Sequence, residues 1–281
     1  MNDQLKKTWR IRSFKAGDEE SIQNLYEAVS GYFDKEYWNW LFKDNPSGPG
    51  HIWLAQVINT NDLVGQYAVI PTDLIIQGKK ILGSQSLGTM THPSYQKQGI
   101  FINLAQKLFE DSVGKGIDLI YGFPNKNSFH GFLKYLDFFV LYKPKLFSRP
   151  LDFGTLLKVK LKNKYISTLV GLVLKSIYNI VFPQFSQNVD TDIEIKQTSR
   201  FPDDIDKVCN AYNKTFRNMV ARSVRYLNWR YNDRPDKSYK IYIAYKDGEP
   251  LGYCVYGHTE RDGIKIGLIM DIYAVHKNDV V

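Results

Sequence analysis

The sequence predicts an α+β fold made of two copies of one helix-and-sheet unit. Residues 36–46 and 225–235 share a Tyr, an Asn, a Trp, an Asp and a Pro at a constant shift of 189 positions. Residues 51–55 align with residues 240–244 at the same shift. Since a repeat of this length marks a duplicated structural unit, we expect the chain to contain the same unit twice.

A helix with the same apolar spacing precedes each repeated block. In the first copy its apolar face contains Ile22, Leu25, Tyr26 and Val29, after the acids Asp18, Glu19 and Glu20. In the second copy the corresponding face contains Ile205, Val208, Cys209 and Tyr212. Spacings of three and four residues are typical of an amphipathic helix, and acids near its start suit the helix dipole.

Two hairpins are predicted after each block. Their turns fall at residues 59–62 and 77–78 in the first copy, and at residues 247–248 and 262–263 in the second. The last two are Asp-Gly pairs, which strongly favour two-residue hairpin turns. The second copy reaches Val281 before the loop and helix that follow the sheet of the first copy. We therefore expect either an incomplete second copy or a fragment of a longer chain.

Composition and charge restrict the class of protein. The chain is 43% hydrophobic and 23% charged, which is typical of a globular protein. Its net charge of +8 favours polyanionic partners, including a phosphorylated cofactor, but no zinc-finger, helix-turn-helix or RNA-binding signature is present. The polar start predicts no signal peptide, and Cys209 and Cys254 have no metal-binding spacing. We expect a cytoplasmic protein that binds neither nucleic acid nor metal, with both cysteines in the core.

The segment from residue 87 to residue 138 has the most specific pattern. A strand over residues 86–91 ends at Pro93, and a glycine turn at residues 96–99 opens an amphipathic helix. A short apolar strand at 117–123 and a helical segment at 125–138 follow. The start of a helix offers free N–H groups and a positive dipole end, so this turn suits a pyrophosphate.

This pattern resembles the GNAT superfamily of N-acyltransferases, whose pyrophosphate loop reads Gln/Arg-x-x-Gly-x-Gly/Ala. The corresponding loop here is Gln96-Lys97-Gln98-Gly99-Ile100-Phe101. In that family the preceding strand pairs with the pantetheine arm and holds the thioester carbonyl through a backbone N–H. The resemblance assigns that strand to Leu87, Gly88, Thr89, Met90 and Thr91, and a later family motif to Asn125, with Ser128 close by.

The resemblance also implies the architecture. It predicts tandem GNAT-like folds of the three-layer α/β type, each with a mixed central sheet flanked by helices. Residues 1–150 would form the acyl-CoA-binding domain, 151–190 a helical linker, and 191–281 a second, incomplete GNAT-like domain.

Several residues depart from the family pattern. Phe101 replaces the final small residue of the loop, and Asp137 replaces a usual glycine. Phe132 or Leu133 stands where a tyrosine often acts as general acid, and no carboxylate lies within residues 86–91 to act as general base. The remaining catalytic candidates are His92, Asp73 and Tyr135. Turn or capping roles suit His92 and Asp73 better, and helical geometry turns Tyr135 away from the expected face. The catalytic acid and base remain unassigned.

Residues 155–185 allow two interpretations. The apolar run at 166–182 follows four lysines, contains Lys175, and is short for a helix that spans a bilayer. One interpretation is a helical connection packed between the copies. The other is an interfacial helix that makes peripheral contact with an anionic membrane through its lysines.

The leading hypothesis is an acyl-CoA-dependent N-acyltransferase that uses acetyl-CoA, or another acyl-CoA, as co-substrate. Its acceptor would be the amine of a small molecule or saccharide. One alternative is a transferase on the same tandem fold with a different acyl donor, as in the Fem-type and N-myristoyltransferase families; the intact glycine loop argues against the Fem type. Another is a catalytically silent acyl-CoA-binding or scaffold protein, which the missing tyrosine and strand carboxylate favour.

Overall fold

The structure is a computed structural model that describes residues 8–160, 164–181 and 192–275. These residues divide into two compact units. The first is drawn from Met1–Phe139 and Cys209–Lys237, and the second from Val140–Val208 and Ser238–Val281.

The first unit is built on a mixed sheet. Its main strands are β1 (Trp9–Ser13), β2 (His51–Val57), β3 (Leu63–Ile76), β4 (Lys79–Thr91) and β5 (Leu119–Gly122), in that spatial order. The pairs from β1 to β4 are antiparallel, whereas β4 and β5 are parallel. The far end of β3 also pairs with a short strand, Asn218–Val220. The predicted mixed sheet is confirmed.

Helices cover both faces of this sheet. Helices α1 (Glu19–Ser30) and α2 (Lys35–Phe42) pack on one face around Leu54 and Ala68. Helices α3 (Ile100–Val113) and α4 (Lys126–Tyr135) pack on the other, around Tyr67. Since both faces are covered, β3 is buried along most of its length. The three-layer α+β prediction is confirmed for this unit.

The turns follow the chemistry that their residues predict. Gln77 and Gly78 both have positive φ angles, as do Asp247-Gly248 and Asp262-Gly263. Two consecutive residues with positive φ angles match the right-handed twist of hairpin strands, and glycine adopts such angles without steric cost. Together with the turn at residues 59–62, all four predicted hairpins form.

The second unit contains an antiparallel sheet in the order β10-β9-β8-β6. Its strands are β6 (Ile193–Thr198), β8 (Lys240–Lys246), β9 (Glu249–Arg261) and β10 (Ile264–Ala274); Asn218–Val220 is β7. Helices α7 (Asp206–Thr215) and α8 (Val224–Leu227) contain part of the second repeated block, and α8 and β7 belong to the first unit. Ile205, Val208 and Cys209 are buried as predicted. Cys254 is half-buried.

Residues 153–181 are helical wherever the structure describes them. They form α5 (Phe153–Lys160) and α6 (Lys164–Val181), which pack together through the rings of Phe153 and Tyr178. Residues 161–163 and 182–185 of the predicted segment lie outside the described residues. None of the described helices is both long and apolar enough to cross a membrane.

Trp40 and Trp229, which occupy equivalent positions in the repeat, meet in the core of the first unit. Their rings stack with centroids 4.6 Å apart and planes 15° from parallel. The Trp40 Nε1–H donates to the Trp229 carbonyl oxygen (2.8 Å), and the Trp229 Nε1–H donates to the Trp40 carbonyl oxygen (3.0 Å). The pair thus satisfies four buried polar groups reciprocally, which makes each residue depend on the other.

We expect Trp40→Ala to reduce the free energy of unfolding by about 3–5 kcal/mol, because it opens a cavity and removes the Nε1–H that donates to the buried Trp229 carbonyl oxygen. Chemical denaturation measures the loss. Tyr32→Ala removes an aromatic ring that is 68% exposed and is the control, with an expected change of about 0.5 kcal/mol or less. Equal losses in the two variants would contradict the role of the tryptophan pair.

Candidate functional site

A β-bulge interrupts the pairing of β3 with β4. Gln66 pairs with Met90 and Ala68 pairs with Leu87, so that Tyr67 alone opposes both Gly88 and Thr89. Gly88 takes a φ of +60°, which L-residues adopt only with strain. Bulges of this kind turn backbone groups out of the ladder and are common beside active sites.

A fully buried glutamine holds the bulge in place. The Gln66 Nε2 amide donates to the carbonyl oxygen of Gly88 (2.7 Å) and more weakly to the hydroxyl of Tyr26 (3.3 Å). Its other amide atom, Oε1, is buried and has no hydrogen-bond partner among the described residues. A buried acceptor left unpaired costs about 1–3 kcal/mol, and such groups concentrate at functional sites.

Tyr26 places a neutral phenol against the bulge. A Cβ atom on Gly88 would lie 3.0 Å from the Tyr26 hydroxyl oxygen. Burial raises the pKa of Tyr26 to about 12, and the hydrogen bond from Gln66 opposes that rise only partly. The hydroxyl therefore keeps its proton at neutral pH and remains a hydrogen-bond donor.

Strands β4 and β5 separate at the bulge. Their parallel pairing runs from Gly83–Leu119 to Ser86–Gly122. Beyond Ser86, none of the strands within the described ranges pairs with β4 on its β5 side. Residues 87–91 therefore present an open strand edge, along which an extended ligand can form backbone hydrogen bonds.

The glycine turn leads from β4 to the start of α3. Lys97 and Gly99 have φ angles of +62° and +78°, and Gly99 is the N-cap of α3 with no side-chain capping bond. The first hydrogen bond of the helix runs from the Asn103 N–H to the Gly99 carbonyl oxygen (3.0 Å). The N–H groups before Asn103 have no intrahelical acceptor, so they and the helix dipole can bind an anion.

Phe101 points into the core rather than over the loop. Its ring lies 5.9 Å from Tyr67 and 5.6 Å from Phe132, measured between centroids. A Cβ atom on Gly131 of α4 would lie 3.0 Å from the Phe101 ring. The glycine at this position therefore leaves room for the Phe101 side chain. The substitution of the family's small residue therefore leaves the turn open.

Helix α4 places the remaining motif residues in structural roles. Asn125 is its N-cap: Oδ1 accepts hydrogen bonds from the N–H of Asn127 (2.9 Å) and from the N–H of Ser128 (3.0 Å). The Ser128 hydroxyl donates to the same oxygen (3.2 Å). Asp137 has a φ of +55°, which explains why the family uses glycine at this position.

The three catalytic candidates lie in different environments. The Nδ1 atom of His92 accepts the Ser94 N–H (3.2 Å) and so caps a short 3₁₀ helix at residues 93–95. Asp73 forms a salt bridge with Lys80 (2.8 Å) and lies opposite Leu82 on β4, six residues from Gly88 and therefore about 20 Å from the bulge. Tyr135 ends α4 and is 47% exposed.

The family's tyrosine position has no proton donor. Phe132 is buried among Phe101, Phe138 and Tyr67, and Leu133 is partly exposed. The polar groups that the structure brings to the bulge are instead Gln66 and Tyr26. The sequence pattern placed Tyr26 only on an apolar helix face and carried no signal for Gln66. Among the described residues, no cluster of three or more His, Cys, Asp or Glu side chains could hold a metal ion.

Comparison with known proteins agrees with this geometry. Residues 10–135 match the family described as "Acetyltransferase (GNAT) domain". No curated protein matches the sequence significantly. A probable N-acyltransferase of unknown function from Enterococcus faecalis V583 has a similar solved structure, with a TM-score of 0.62 at 12% identity over 97% of this chain and 60% of that one.

Two further solved structures share the fold. A GCN5-related N-acetyltransferase from Anabaena variabilis has a TM-score of 0.59 at 11% identity, over 97% of this chain and 60% of that one. Saccharomyces cerevisiae N-myristoyltransferase with bound myristoyl-CoA has a TM-score of 0.51 at 13% identity, over 96% and 64%. This chain thus spans about 60% of the length of the Enterococcus and Anabaena proteins. Residues 10–135 match the acetyltransferase (GNAT) domain, on a GNAT-like fold of a mixed sheet flanked by helices.

Proposed function

We propose that this chain is an acyl-CoA-dependent N-acyltransferase and that the bulge of β4 and the turn at residues 96–101 form its acyl-CoA site. One observation carries the proposal: the open strand edge at residues 87–91 is joined, through a short turn, to the free N-terminus of α3. An extended pantetheine chain suits the first element and a pyrophosphate suits the second.

Lys97 supplies a charge at this turn. Its side chain is exposed, and its left-handed backbone helps to turn the chain toward α3. A cation beside the helix N-terminus strengthens binding of a phosphate through a charge-assisted hydrogen bond. The positive net charge of the chain acts in the same direction.

The reaction is the transfer of an acyl group from sulfur to nitrogen. The neutral acceptor amine attacks the thioester carbonyl carbon, a C–N bond forms, and the C–S bond breaks. The amine nitrogen loses one proton and the departing thiolate gains one, so that the products are an amide and free CoA. In the proposed site, backbone N–H groups around Thr89 and Met90 would stabilise the negative charge that develops on the carbonyl oxygen.

Tyr26 and Gln66 fit supporting roles beside the carbonyl. Gln66 fixes the Gly88 carbonyl group, which sets the direction of the next N–H along the bulge. Tyr26 offers a phenolic proton on the face of the sheet where the Gln66 side chain lies. Positioning of the amine against the thioester can by itself provide several kcal/mol of barrier reduction. The site therefore depends on geometry more than on one acid or base.

The acceptor is an amine of a small molecule or saccharide, and acetyl-CoA is the expected donor. The yeast N-myristoyltransferase binds myristoyl-CoA, so a longer acyl donor on this fold is a concrete alternative. A second candidate function is a silent acyl-CoA-binding protein. The burial of Phe132 at the position of the family's tyrosine favours it.

We also propose the tandem organisation, with residues 1–150 as the acyl-CoA domain, 151–190 as a helical linker, and 191–281 as a second, incomplete copy. Two observations support it. Both sheets contain four successive strands linked by antiparallel pairs, and the equivalent tryptophans Trp40 and Trp229 exchange hydrogen bonds. Contact of residues 155–185 with an anionic membrane remains the alternative to a packed linker.

We expect one CoA to bind per chain, because the glycine-turn motif occurs once in the sequence. Gly99→Glu places a carboxylate beside the pyrophosphate and should weaken CoA binding by about a hundredfold or more, measured by calorimetry. The control is Gly116→Glu, which imposes the same charge on another positive-φ glycine with open space around it. Equal affinities in the two variants, or two CoA per chain, would refute the assignment.

Gly88→Ala should lower kcat by about tenfold or more, because the new methyl group meets Tyr26 and Gln66 and shifts the bulge. Gly78→Ala is the matched control: its φ is +78° and its Cβ would meet no atom within 4 Å. Both variants share the backbone strain, so the difference between their rates isolates the contact at the bulge. A normal rate in Gly88→Ala would show that the bulge geometry is not needed for turnover.

His92→Ala, Asp73→Ala and Tyr135→Phe should each lower kcat by about tenfold or less, because the proposed mechanism depends on positioning of the amine rather than on a single acid or base. The rate should rise with pH as the bound amine loses its proton. Since the pKa of Tyr26 is raised to about 12, its phenol stays protonated below pH 10 and should add no falling limb there. A loss of about a thousandfold in any one variant would identify a true acid or base and exclude the positional mechanism.

A further inference from the structure

A cavity of about 380 Å³ lies in the first unit, where α1 and α2 meet. Aromatic rings form much of its wall, and two carboxylates also line it. These eight residues are Tyr26, Tyr32, Phe33, Tyr37, Trp38, Phe42, Asp34 and Asp236. Nothing in the sequence pattern singles out this aromatic and acidic combination.

On one side the cavity borders the bulge of β4. Tyr26 and Phe42 line the cavity and also touch Gly88: a Cβ atom there would lie 3.0 Å from the Tyr26 hydroxyl oxygen and 3.3 Å from Phe42 Cζ. At the outer end Tyr32 is largely exposed, and its hydroxyl donates to Asp34 Oδ2 (3.3 Å). The cavity wall therefore adjoins Gly88 through Tyr26 and Phe42 and also includes the Asp34 carboxylate.

The outer end carries a carboxylate, Asp34, that has no salt bridge within the described part of the chain. Asp236 is paired in a bidentate salt bridge with Arg234, whose Nε and Nη2 atoms lie 2.6 and 2.9 Å from its oxygens. Asp34 forms no salt bridge with any cation in the described part of the chain; it accepts the Tyr37 N–H and the Tyr32 hydroxyl. The charge of Asp34 is the main reason that the pKa of Tyr32 is raised.

The wall of the cavity is aromatic. Tyr37 and Trp38 line it, and each ring already has one of the chain's own cations over it: Arg234 lies 5.3 Å from the Tyr37 centroid and Lys43 5.3 Å from the Trp38 centroid. The attraction for a bound ammonium therefore rests on the Asp34 carboxylate rather than on these ring faces. Trp38 is 3% exposed, and its Nε1–H has no hydrogen-bond partner among the residues described. An unpaired buried donor costs about 1–3 kcal/mol, which an oxygen of a bound molecule could offset.

We propose that this cavity is the acceptor site and that it selects molecules with two amino groups, such as a diamine or a multiply aminated saccharide. One group stays protonated and binds at Asp34, while the other reaches the bulge as the neutral nucleophile. Only the attack of the neutral amine on the thioester rests on the proposed function. Binding of the retained ammonium requires neither CoA nor turnover.

The test compares two probes of equal length, 1,5-diaminopentane and 1,5-pentanediol, which has no ammonium group, in calorimetric titrations of the full chain without CoA. The diamine should bind about tenfold or more tightly. Asp34→Asn removes the charge but keeps a good N-cap for α2, so it should abolish the preference and retain the fold. Asp34→Ser is a second variant with the same expectation. Glu36→Gln removes an exposed carboxylate that does not line the cavity and should keep the preference.

Equal affinities for the two probes in the unmodified chain would overturn the proposal. So would a preference that survives in both Asp34 variants, or one that Glu36→Gln abolishes equally. CoA titration of the same samples separates the two ideas. CoA binding without a diamine preference would exclude only this cation site. A diamine preference without CoA binding would exclude the acyl-CoA function and leave a cation site in place.

Discussion

The hydrogen bond from the Gln66 side chain to the carbonyl oxygen of Gly88 is the constraint on which the site depends. Gln66 is fully buried in β3, so the bond forms where water cannot compete for either group. It fixes the bulge that separates β4 from regular pairing with β3. The bulge in turn lies where β4 parts from β5, which leaves an open strand edge leading to the turn at residues 96–99 and to α3.

The helical layers surround the bulge differently on the two faces of the sheet. One face is closely packed, and the other borders the cavity. Tyr67, opposite the bulge, is buried against Phe101, Phe109 and Phe132, and its hydroxyl accepts a hydrogen bond from Ser86 (2.9 Å). The opposite face holds Tyr26, which belongs both to the bulge and to the cavity at α1 and α2. One strand thus connects the proposed acyl-CoA site on its edge to the proposed acceptor cavity on its face.

The local sequence pattern was sufficient to predict most of the fold and the glycine turn at residues 96–99. Helical spacing identified α1 and α3, Asp-Gly pairs fixed the hairpins of the second sheet, and Gly99 marked the start of α3. The glutamine and tyrosine at the bulge could not be predicted in this way, because Tyr26 and Gln66 are 40 positions apart and meet only through the packing of α1 on β3. The inward direction of Phe101 likewise depends on Gly131, in another helix.

A structure of the chain determined with bound acetyl-CoA tests the central claim most directly. The account predicts the pyrophosphate within hydrogen-bond distance of backbone N–H groups at residues 98–101, and the thioester carbonyl oxygen at the N–H groups of Thr89 and Met90. The hydrogen bond from Gln66 to Gly88 should be unchanged. Acetyl-CoA bound away from β4 and α3, or an acyl group distant from Gly88, would contradict the account.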